Sequence, residues 1–406
     1  MDGKTAIKYF MKLSRISLQI SGVWPDSEKG DLLAFVHYAA MAGYLFIIIV
    51  VLQSIKLIII WGDVDAMSDI LAFGLLFYAV AFTKMTCLWY YRKKLIKLLF
   101  YMIQDWNSTT SKKEYEIMVK YGHFSRRVSD YFVLIIFIAT ITRFLQMCYV
   151  NANVFFRNHH PNATGLLTME LYVPYDYNSC PAFEITFMID YLAAFLGNIS
   201  NCGTDGLFFQ IGFHYVAQFQ ILHSNIISLV TEQENKGSST DFDKRLCQII
   251  QKHENINRCL GLLEDCFCIM LLIQLLAHSI LFCLQGYRLI QFLTLQQTKS
   301  LFMEEMFVVE YLIYVLSISY IYCYVSEALE NESITLGQSA YNCNWFYLPP
   351  KKMRNLMIII QRCRKPAQLT AAKFCVMNMQ KFGNILKTSM GYLSLLLTVK
   401  SNQMHL

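Results

Sequence analysis

The chain has 406 residues, of which 55% are hydrophobic and 16% are charged, and its formal net charge is +6. Soluble domains contain about 25% charged residues, so this composition excludes an ordinary soluble protein and indicates a chain that lies largely in lipid. The 13 cysteines lack the spacing of a zinc site or a disulfide framework. The first 30 residues lack the long apolar run of a signal peptide, so the first spanning helix is expected to act as the insertion signal.

Seven segments are apolar enough over about 20 residues to cross a bilayer as helices. They are residues 33–60, 66–90, 130–152, 184–207, 265–293, 303–328 and 371–399. Apolar spacing persists beyond the fourth segment to Leu222, which predicts a helix that continues past the membrane, and the polar stretch 231–243 is predicted to be a linker. A shorter amphipathic helix is predicted at 351–363 between prolines, with Thr370 as the N-cap of the last helix. The predicted fold class is all-α and integral to the membrane, with six spans and their connections in 1–370 and a seventh span in 371–399.

The distribution of Lys and Arg predicts the orientation, because cytoplasmic loops carry an excess of both. With the N-terminus inside, the inner segments hold 25 basic residues and the outer segments hold 3, and seven spans put the C-terminus outside. The sequon at Asn162 then lies in an outer loop and is a candidate glycosylation site, whereas Asn107 and Asn331 fall inside and should stay bare. Cys148 and Cys180 both lie on the predicted outer side, where a disulfide between them is one alternative.

The sequence carries no serine-hydrolase, metalloprotease or phosphate-loop motif, and no residue pattern for a cofactor, a metal or nucleic acid, which favours a protein that is not an enzyme. Ionisable residues inside spans are functional candidates, because burial in lipid is costly. Most lie near span ends, where long side chains can reach water; they include Lys84 and Asp205. Arg143, Asp190 and Glu310 lie in the outer halves of spans three, four and six, where they either pair as structural contacts or touch a ligand.

Aromatic residues make up 15% of the chain. Several of them, with two methionines, lie in the predicted outer halves of spans two, three, four and six and form a candidate ligand pocket: Phe73, Phe77, Tyr78, Phe144, Met147, Met188, Tyr191, Tyr311 and Tyr314. Tyr311 and Tyr314 are three residues apart and share a helix face. If these faces converge, they enclose an apolar space with a few hydroxyl groups, which suits a small apolar ligand. Ordinary packing between helices is the alternative.

The last span combines leucines with small and hydroxyl residues, and Gly391, Leu395 and Val399 recur on one face at four-residue steps. Such a helix is a candidate pore wall, since an apolar ring can gate a pore by dewetting. Several copies would have to surround an axis to enclose a pore. The same pattern also suits a helix that is simply packed.

The stretch from Ser339 to Leu396, about a seventh of the chain, resembles the C-terminal signature of insect odorant receptors. The matching residues are Tyr341, Trp345, Phe346, Leu348, Pro349, Arg354, Leu356, Ile359, Arg362, Pro366, Leu369, Thr370, Ala371, Phe374, Phe382, Lys387, Ser389 and Tyr392. Gustatory receptors share the fold but resemble one another in a different C-terminal pattern. That pattern is absent here after Gly391 and Tyr392. The family's co-receptor (Orco) has a large insertion between spans four and five, so the short linker here resembles an odour-tuning subunit.

The resemblance implies an odorant-gated, non-selective cation channel that forms a heterotetramer with the co-receptor in the plasma membrane of sensory neurons. It implies that the 351–363 helix belongs to an anchor between subunits, and that the last span lines the pore with the gate near Leu395 and Val399. It also implies a pocket for a small volatile ligand in the outer halves of spans two, three, four and six. Tyr311 and Tyr314 are the leading candidates there, and membrane lipid surrounds the rest.

A G-protein-coupled chemoreceptor is the main alternative, since it also has seven spans. Its N-terminus lies outside, against the distribution of Lys and Arg. The chain also lacks Asp-Arg-Tyr at the end of span three and Asn-Pro-x-x-Tyr in the last span. A transporter built from two inverted halves is disfavoured, because the chain shows no internal repeat.

Overall fold

Helices form nearly all of the chain in the computed structural model, which describes residues 2–25, 31–109, 111–155, 165–236, 239–294 and 299–404. In chain order the α-helices of these ranges are α1 (Gly3–Phe10), α2 (Lys12–Ile20), α3 (Asp31–Leu45), α4 (Leu52–Ile59), α5 (Val64–Ile70), α6 (Leu76–Tyr90), α7 (Arg92–Ser108), α8 (Lys112–Val150), α9 (Ala152–Phe155), α10 (Ala182–Lys236), α11 (Ser239–Thr294), α12 (Lys299–Asn342), α13 (Pro350–Cys363) and α14 (Met379–Met404). Three further turns are the π-helical Phe46–Val51 and Leu71–Leu75 and the 3-10 Trp345–Tyr347. Two short strands, β1 (Thr370–Ala371) and β2 (Cys375–Val376), pair antiparallel.

Six helical stretches among the described residues are long and apolar enough to cross a membrane. They run over Leu32–Ile59, Val64–Tyr90, Lys112–Val150, Ala182–Thr231, Phe242–Gln291 and Glu305–Asn342. The last four are 38 to 50 residues long, well beyond the ~20 that a bilayer requires, so they continue outside it as helices. The predicted linker 231–243 is therefore mostly helical, and only residues 237 and 238 of it lie outside the described residues.

α10 lies at the centre of the bundle and packs against α2, α6, α8, α11 and α12. Every residue from 197 to 219 is buried. Small residues allow the close approach. At Gly206, for example, an added Cβ would lie 2.3 Å from the hydroxyl oxygens of both Ser14 and Ser129, which hydrogen-bond to each other at 3.1 Å. The N-terminal helix α2 is thereby held against α8 and α10.

Asp105 joins three helices at the end of the bundle that the Lys and Arg distribution predicts to be cytoplasmic. From α7 its carboxylate contacts His214 of α10 at 3.0 Å and pairs with Lys252 of α11. Burial raises the pKa of the Asp105 carboxyl, but the hydrogen bond from His214 and the positive charge of Lys252 outweigh burial and hold that pKa below its ordinary value. The carboxylate therefore stays charged and keeps these helices together at neutral pH.

A β-hairpin precedes the last helix, where the sequence predicts the helix itself. Thr370 pairs with Val376 in place of capping a helix, and Ala372 and Lys373 have left-handed φ angles of 48° and 63°, which a helix cannot contain. The helix begins at Met379 instead of residue 371. Its cap is Asn378, whose side-chain oxygen accepts a hydrogen bond from the Lys381 backbone at 2.8 Å.

The hairpin and the first residue of α14 are fixed to the neighbouring helices. The Thr370 hydroxyl donates to Glu264 of α11 at 2.6 Å, and the Met379 backbone N–H donates to Glu327 of α12 at 2.6 Å. α14 then runs for 26 residues, about 39 Å, which exceeds the hydrocarbon thickness of about 30 Å. It is the seventh span, and its lysines and hydroxyl residues make it less apolar than the other six.

Candidate functional site

An enclosed cavity, here called the inner cavity, lies between the second, third, fourth and sixth spans at the predicted outer end of the bundle. Its volume is about 40 Å³, whereas a single water needs roughly 10–15 Å³. Five of the nine predicted pocket residues line it, namely Phe73, Phe77, Tyr78, Tyr191 and Tyr311. The four helices therefore converge where the aromatic pattern predicts.

Edge-to-face ring contacts hold the wall of the inner cavity together. The Phe77 ring lies 5.1 Å from the Tyr78 ring and 5.6 Å from the Tyr311 ring, both at steep angles. Tyr311 also stacks on Phe307, with ring centroids 6.1 Å apart. Such pairs each contribute about 0.5–1.5 kcal/mol beyond the area they bury, so the wall is both apolar and well ordered.

Polar groups interrupt this wall at a few points. The Asn198 amide donates to the Thr140 hydroxyl at 2.8 Å, and both residues line the inner cavity. The Tyr311 hydroxyl is buried and has no hydrogen-bond partner in the described part of the chain. Arg143 also lines the cavity. The sequence analysis named it among the ionisable residues inside spans and not among the nine predicted pocket residues.

Arg143 is held in place by contacts on several sides. Its guanidinium donates to the Gln146 side chain at 2.9 Å and to the Thr168 carbonyl at 3.1 Å. It also lies 5.3 Å from the centroids of both Phe73 and Phe307, within the range of a cation–π contact. The charge is thus fixed at the cavity wall by one backbone carbonyl, one amide and two rings.

A second cavity, here called the outer vestibule, adjoins the inner cavity and has a volume of about 340 Å³. The two spaces share Phe73, Arg143, Thr168 and Met169. The vestibule is the more polar of the two, because charged side chains line it: Lys56, Asp69, Arg143, Glu170 and Arg288. Phe73 lines both spaces, and the guanidinium groups of Arg288 and Arg143 lie 5.1 and 5.3 Å from the centroid of its ring.

The segment that follows residue 164 covers both cavities. Asn151 holds it through two hydrogen bonds to the Leu166 backbone, at 2.7 and 2.8 Å. Asp190 of α10 accepts a hydrogen bond from the Met169 backbone at 3.1 Å. Glu310, the third ionisable candidate, accepts from Thr142 at 3.4 Å. Asp190 and Arg143 thus both contact the covering segment, at Met169 and Thr168.

The other four predicted pocket residues have different surroundings. Met147 lines the outer vestibule, and Phe144 lies behind the cavity wall, 4.6 Å from the Tyr191 ring. Tyr314 is buried, and its hydroxyl lies 3.5 Å from Asp205. Met188 is 57% exposed and lines neither cavity, because its side of α10 faces away from the bundle.

A buried ion pair lies below the inner cavity and joins two of the ionisable residues that the sequence places inside spans. Lys84 of α6 pairs with Asp205 of α10, and both side chains are almost completely buried. The Tyr322 hydroxyl donates to the same carboxylate at 2.5 Å. Neither side chain reaches water, because α10 crosses the middle of the bundle at this height. The two opposite charges in facing spans were the only sequence signal of the pair.

The remaining predicted residues concern α14 and the outer loop. Leu395 is 63% exposed, on the side of α14 away from Leu393, which packs with Cys283 and Tyr287 of α11. Val399 lies in α14, and its side chain lies outside the described part of the structure, as does Asn162. Cys148 and Cys180 are free thiols.

Solved structures with this fold are known. The olfactory receptor OR5 from Machilis hrabei superposes with a TM-score of 0.83 at 18% sequence identity, covering 98% of this chain and 100% of that one. The same receptor in complex with eugenol superposes with a TM-score of 0.80 at 17% identity. At this level of identity the likeness shows the fold alone, which is that of a seven-helix integral membrane protein.

The family follows from the sequence itself. The family model described as 7tm Odorant receptor matches residues 63–390, most of the chain. Odorant receptor 13a of Drosophila melanogaster is 31% identical over 45% of each chain, so that alignment spans about half of the relative's length. Odorant receptor 10a of the same species is 21% identical over 97% of this chain and 96% of the relative. The chain belongs to the odorant receptor family, and its relatives are receptors and not enzymes.

Co-receptors of the family align with a smaller part of this chain than Odorant receptor 10a does. The odorant receptor coreceptor of Aedes aegypti is 24% identical over 37% of this chain and 30% of its own length.

Proposed function

We propose that the chain is an odour-tuning subunit of an odorant-gated, non-selective cation channel, which it forms as a heteromer with the odorant co-receptor. The observation that carries this proposal is an aromatic cavity enclosed by four spans in a member of the odorant receptor family. Only residues 237 and 238 separate α10 from α11, so the chain lacks room there for the insertion of the co-receptor. The channel is proposed to lie in the plasma membrane of sensory dendrites.

The ligand is a small, volatile, mostly apolar molecule bound in the inner cavity. Burying roughly 200 Å² of apolar area gains about 5 kcal/mol, which corresponds to affinities between micromolar and millimolar. The cavity of about 40 Å³ is smaller than such a molecule. Binding therefore favours an arrangement of the helices in which the cavity is wider, and a ligand shifts the equilibrium only by its preference for that arrangement.

α12 links the inner cavity to the last helix. It carries Tyr311 in the cavity wall and, about four turns further along, Glu327, which accepts the hydrogen bond from the first residue of α14. A displacement of α12 at the cavity is thus passed to the start of α14. In the assembled channel α14 lines the pore, with Leu395 and Val399 as the apolar constriction that dewets when closed.

Whole-cell current under a broad panel of volatiles tests this function. The chain is expressed with and without an insect co-receptor, and each response is recorded with and without GTP in the pipette. We expect fast cation current only when both proteins are present, with no dependence on GTP. Current that disappears on removal of GTP would support the G-protein-coupled alternative, and silence with both proteins present would contradict the channel proposal.

Replacing Tyr311 tests the pocket. Tyr311→Ala removes a ring that packs on Phe77 and Phe307, so we expect a changed ranking of active odorants with unchanged surface labelling. Met188→Ala is the matched control, because Met188 is 57% exposed and lines neither cavity. An unchanged odour profile in Tyr311→Ala, with normal surface labelling, would exclude the inner cavity as the binding site.

A further inference from the structure

Two side chains of the inner cavity are candidate hydrogen-bond donors for a ligand, Tyr311 and Arg143, and they lie beside the amide and hydroxyl groups of Asn198, Thr140 and Thr168. The Tyr311 hydroxyl is buried, and none of the described residues hydrogen-bonds to it. The Arg143 guanidinium, which can only donate, lines the same space. Both side chains pack on the Phe307 ring: the Tyr311 ring stacks with its centroid 6.1 Å away, and the Arg143 guanidinium lies 5.3 Å from the Phe307 centroid.

The surroundings of each donor bear on its readiness to bind a ligand. A buried hydroxyl without a partner is unfavourable, since it has lost its hydrogen bonds to water. Arg143 is fixed by Gln146 and by the Thr168 carbonyl, at 2.9 and 3.1 Å, so its direction does not depend on a ligand. A site in which fixed donors face an apolar space is suited to an acceptor that arrives with its own apolar body.

The charges around the outer vestibule favour the same kind of ligand. Lys56, Arg143 and Arg288 line it together with only two carboxylates, those of Asp69 and Glu170. Asp69 is already paired with Arg288 at 2.6 Å. The positive balance next to the cavity attracts an oxygen that carries negative charge or partial negative charge and repels an ammonium group.

We propose that this receptor selects ligands with a carbonyl oxygen, as in ketones, esters and carboxylic acids, over hydrocarbons and amines of the same carbon skeleton. The carbonyl oxygen accepts a hydrogen bond from the Tyr311 hydroxyl or from the Arg143 guanidinium, and the carbon chain packs against Phe77 and Tyr78. This inference rests on the proposed function, because it assumes that the inner cavity is the odorant site. It adds the chemical class of the ligand and assigns Tyr311 and Arg143 as the residues that determine it.

The test uses sets of compounds with one carbon skeleton: an alkane, a ketone, a carboxylic acid, its methyl ester and a primary amine. Binding is measured by the rise in melting temperature of the purified complex of this chain with the co-receptor, and activation by the half-maximal concentration for current. We expect the carbonyl compounds to bind about threefold to tenfold more tightly than the alkane, and the amine to bind most weakly. An alkane that binds as tightly as the ketone would overturn the inference.

Isosteric variants identify the donors. Tyr311→Phe removes only the hydroxyl, so it should weaken binding of the ketone and the ester by about threefold to tenfold and leave binding of the alkane unchanged. Tyr320→Phe is the control, a tyrosine on the same helix that is 42% exposed and lies outside the inner cavity. An equal loss for alkane and ketone in Tyr311→Phe would mean that the hydroxyl acts only on structure, which contradicts the inference.

Comparing the acid with its methyl ester shows whether the receptor recognises a carboxylate or a neutral carbonyl group. If Arg143→Lys, which loses the planar fork, weakens the acid much more than the ester, the receptor recognises a carboxylate. If it weakens both alike, the receptor recognises a neutral carbonyl. The binding measurement also separates the two proposals: selective binding without current supports the ligand class and contradicts the channel, whereas current without selectivity contradicts only the ligand class.

Discussion

Lys84 and Asp205 form the most buried charged contact of the molecule's described part, with side chains that are 2% and 1% exposed. Tyr322 and Tyr314 both direct hydroxyl groups at the same carboxylate. Tyr314 also contacts the ring of Phe77 in the wall of the inner cavity, at 6.0 Å. The ion pair therefore lies one side chain away from the inner cavity, in a place where an unpaired charge is very unfavourable.

Removing one member of this pair should destabilise the fold. In Lys84→Met the carboxylate of Asp205 loses its counter-charge, and such changes typically cost about 3–5 kcal/mol. We expect a lower melting temperature of the detergent-solubilised protein, measured by size-exclusion chromatography of samples heated to increasing temperatures. The double variant Lys84→Met with Asp205→Asn should recover part of the loss, because it no longer buries an uncompensated charge.

Lys94 supplies the matched control for this prediction. It pairs with Asp265 at 2.7 Å, but both side chains are 43% or more exposed. Exposed pairs contribute little, so Lys94→Met should leave the melting temperature nearly unchanged. If both lysine variants had the same effect, the buried pair would have no special role in stability.

The aromatic members of the site were predictable at the residue scale, because large rings in the outer halves of spans have few other places to pack. Phe73, Phe77 and Tyr311 follow that reasoning. Met188 does not. The rotation of α10 about its axis decides which side chains face inward, and the sequence does not show this rotation because α10 has apolar residues on all of its faces. Thr168 comes from a loop, whose path over the cavity no periodicity predicts.

At the scale of the elements, the spans were predicted well and their irregular parts were not. The π-helical turn Leu71–Leu75 places Phe73 against both cavities and Gly74 against the outer vestibule, and such turns often occur at functional sites. The hairpin before α14 was predicted as helix, because an apolar run does not distinguish a buried turn from a buried helix. Both features depend on contacts with distant helices, which local sequence does not contain.

Gly197 on α10 sets the space available to a cavity residue. A Cβ at this position would lie 2.4 Å from Cδ1 of Tyr78, a distance that forces the ring to move. Since Tyr78 lines the inner cavity, Gly197→Ala should shift the ring into it. We expect the receptor to lose its responses to larger odorants first, measured as half-maximal concentrations across a series of increasing chain length.

Gly261 on α11 is the corresponding control, because a Cβ there would meet no atom within 4 Å. Gly261→Ala should leave the order of odorants unchanged and, by its higher helix propensity, stabilise the helix by up to about 1 kcal/mol. Equal losses for short and long odorants in Gly197→Ala would show that the ring movement does not reach the ligand.

At the scale of the whole molecule, the seven spans follow from the sequence, while the orientation of the bundle is still a prediction from 25 inner and 3 outer basic residues. The contacts of the helices are the same whichever side they face, so packing does not decide it.

Glycosidase treatment tests the orientation. With the N-terminus in the cytoplasm, the sequon at Asn162 is exposed to the glycosylation machinery and the one at Asn107 is not. We expect a mobility shift on deglycosylation of the wild-type protein that disappears in Asn162→Gln and persists in Asn107→Gln. A shift that depends on Asn107 would reverse the bundle and favour the G-protein-coupled alternative.

In the proposed channel, the hairpin before the last helix has a mechanical consequence for gating. It fixes one end of α14, through Glu264 and Glu327, while Leu395 lies about 24 Å further along the axis. A rod held at one end moves in proportion to the distance from its pivot. A tilt of about 5° therefore displaces Leu395 by about 2 Å over that length, and four such tilts around a shared axis would widen a constriction by about 4 Å while the helix bases hardly move.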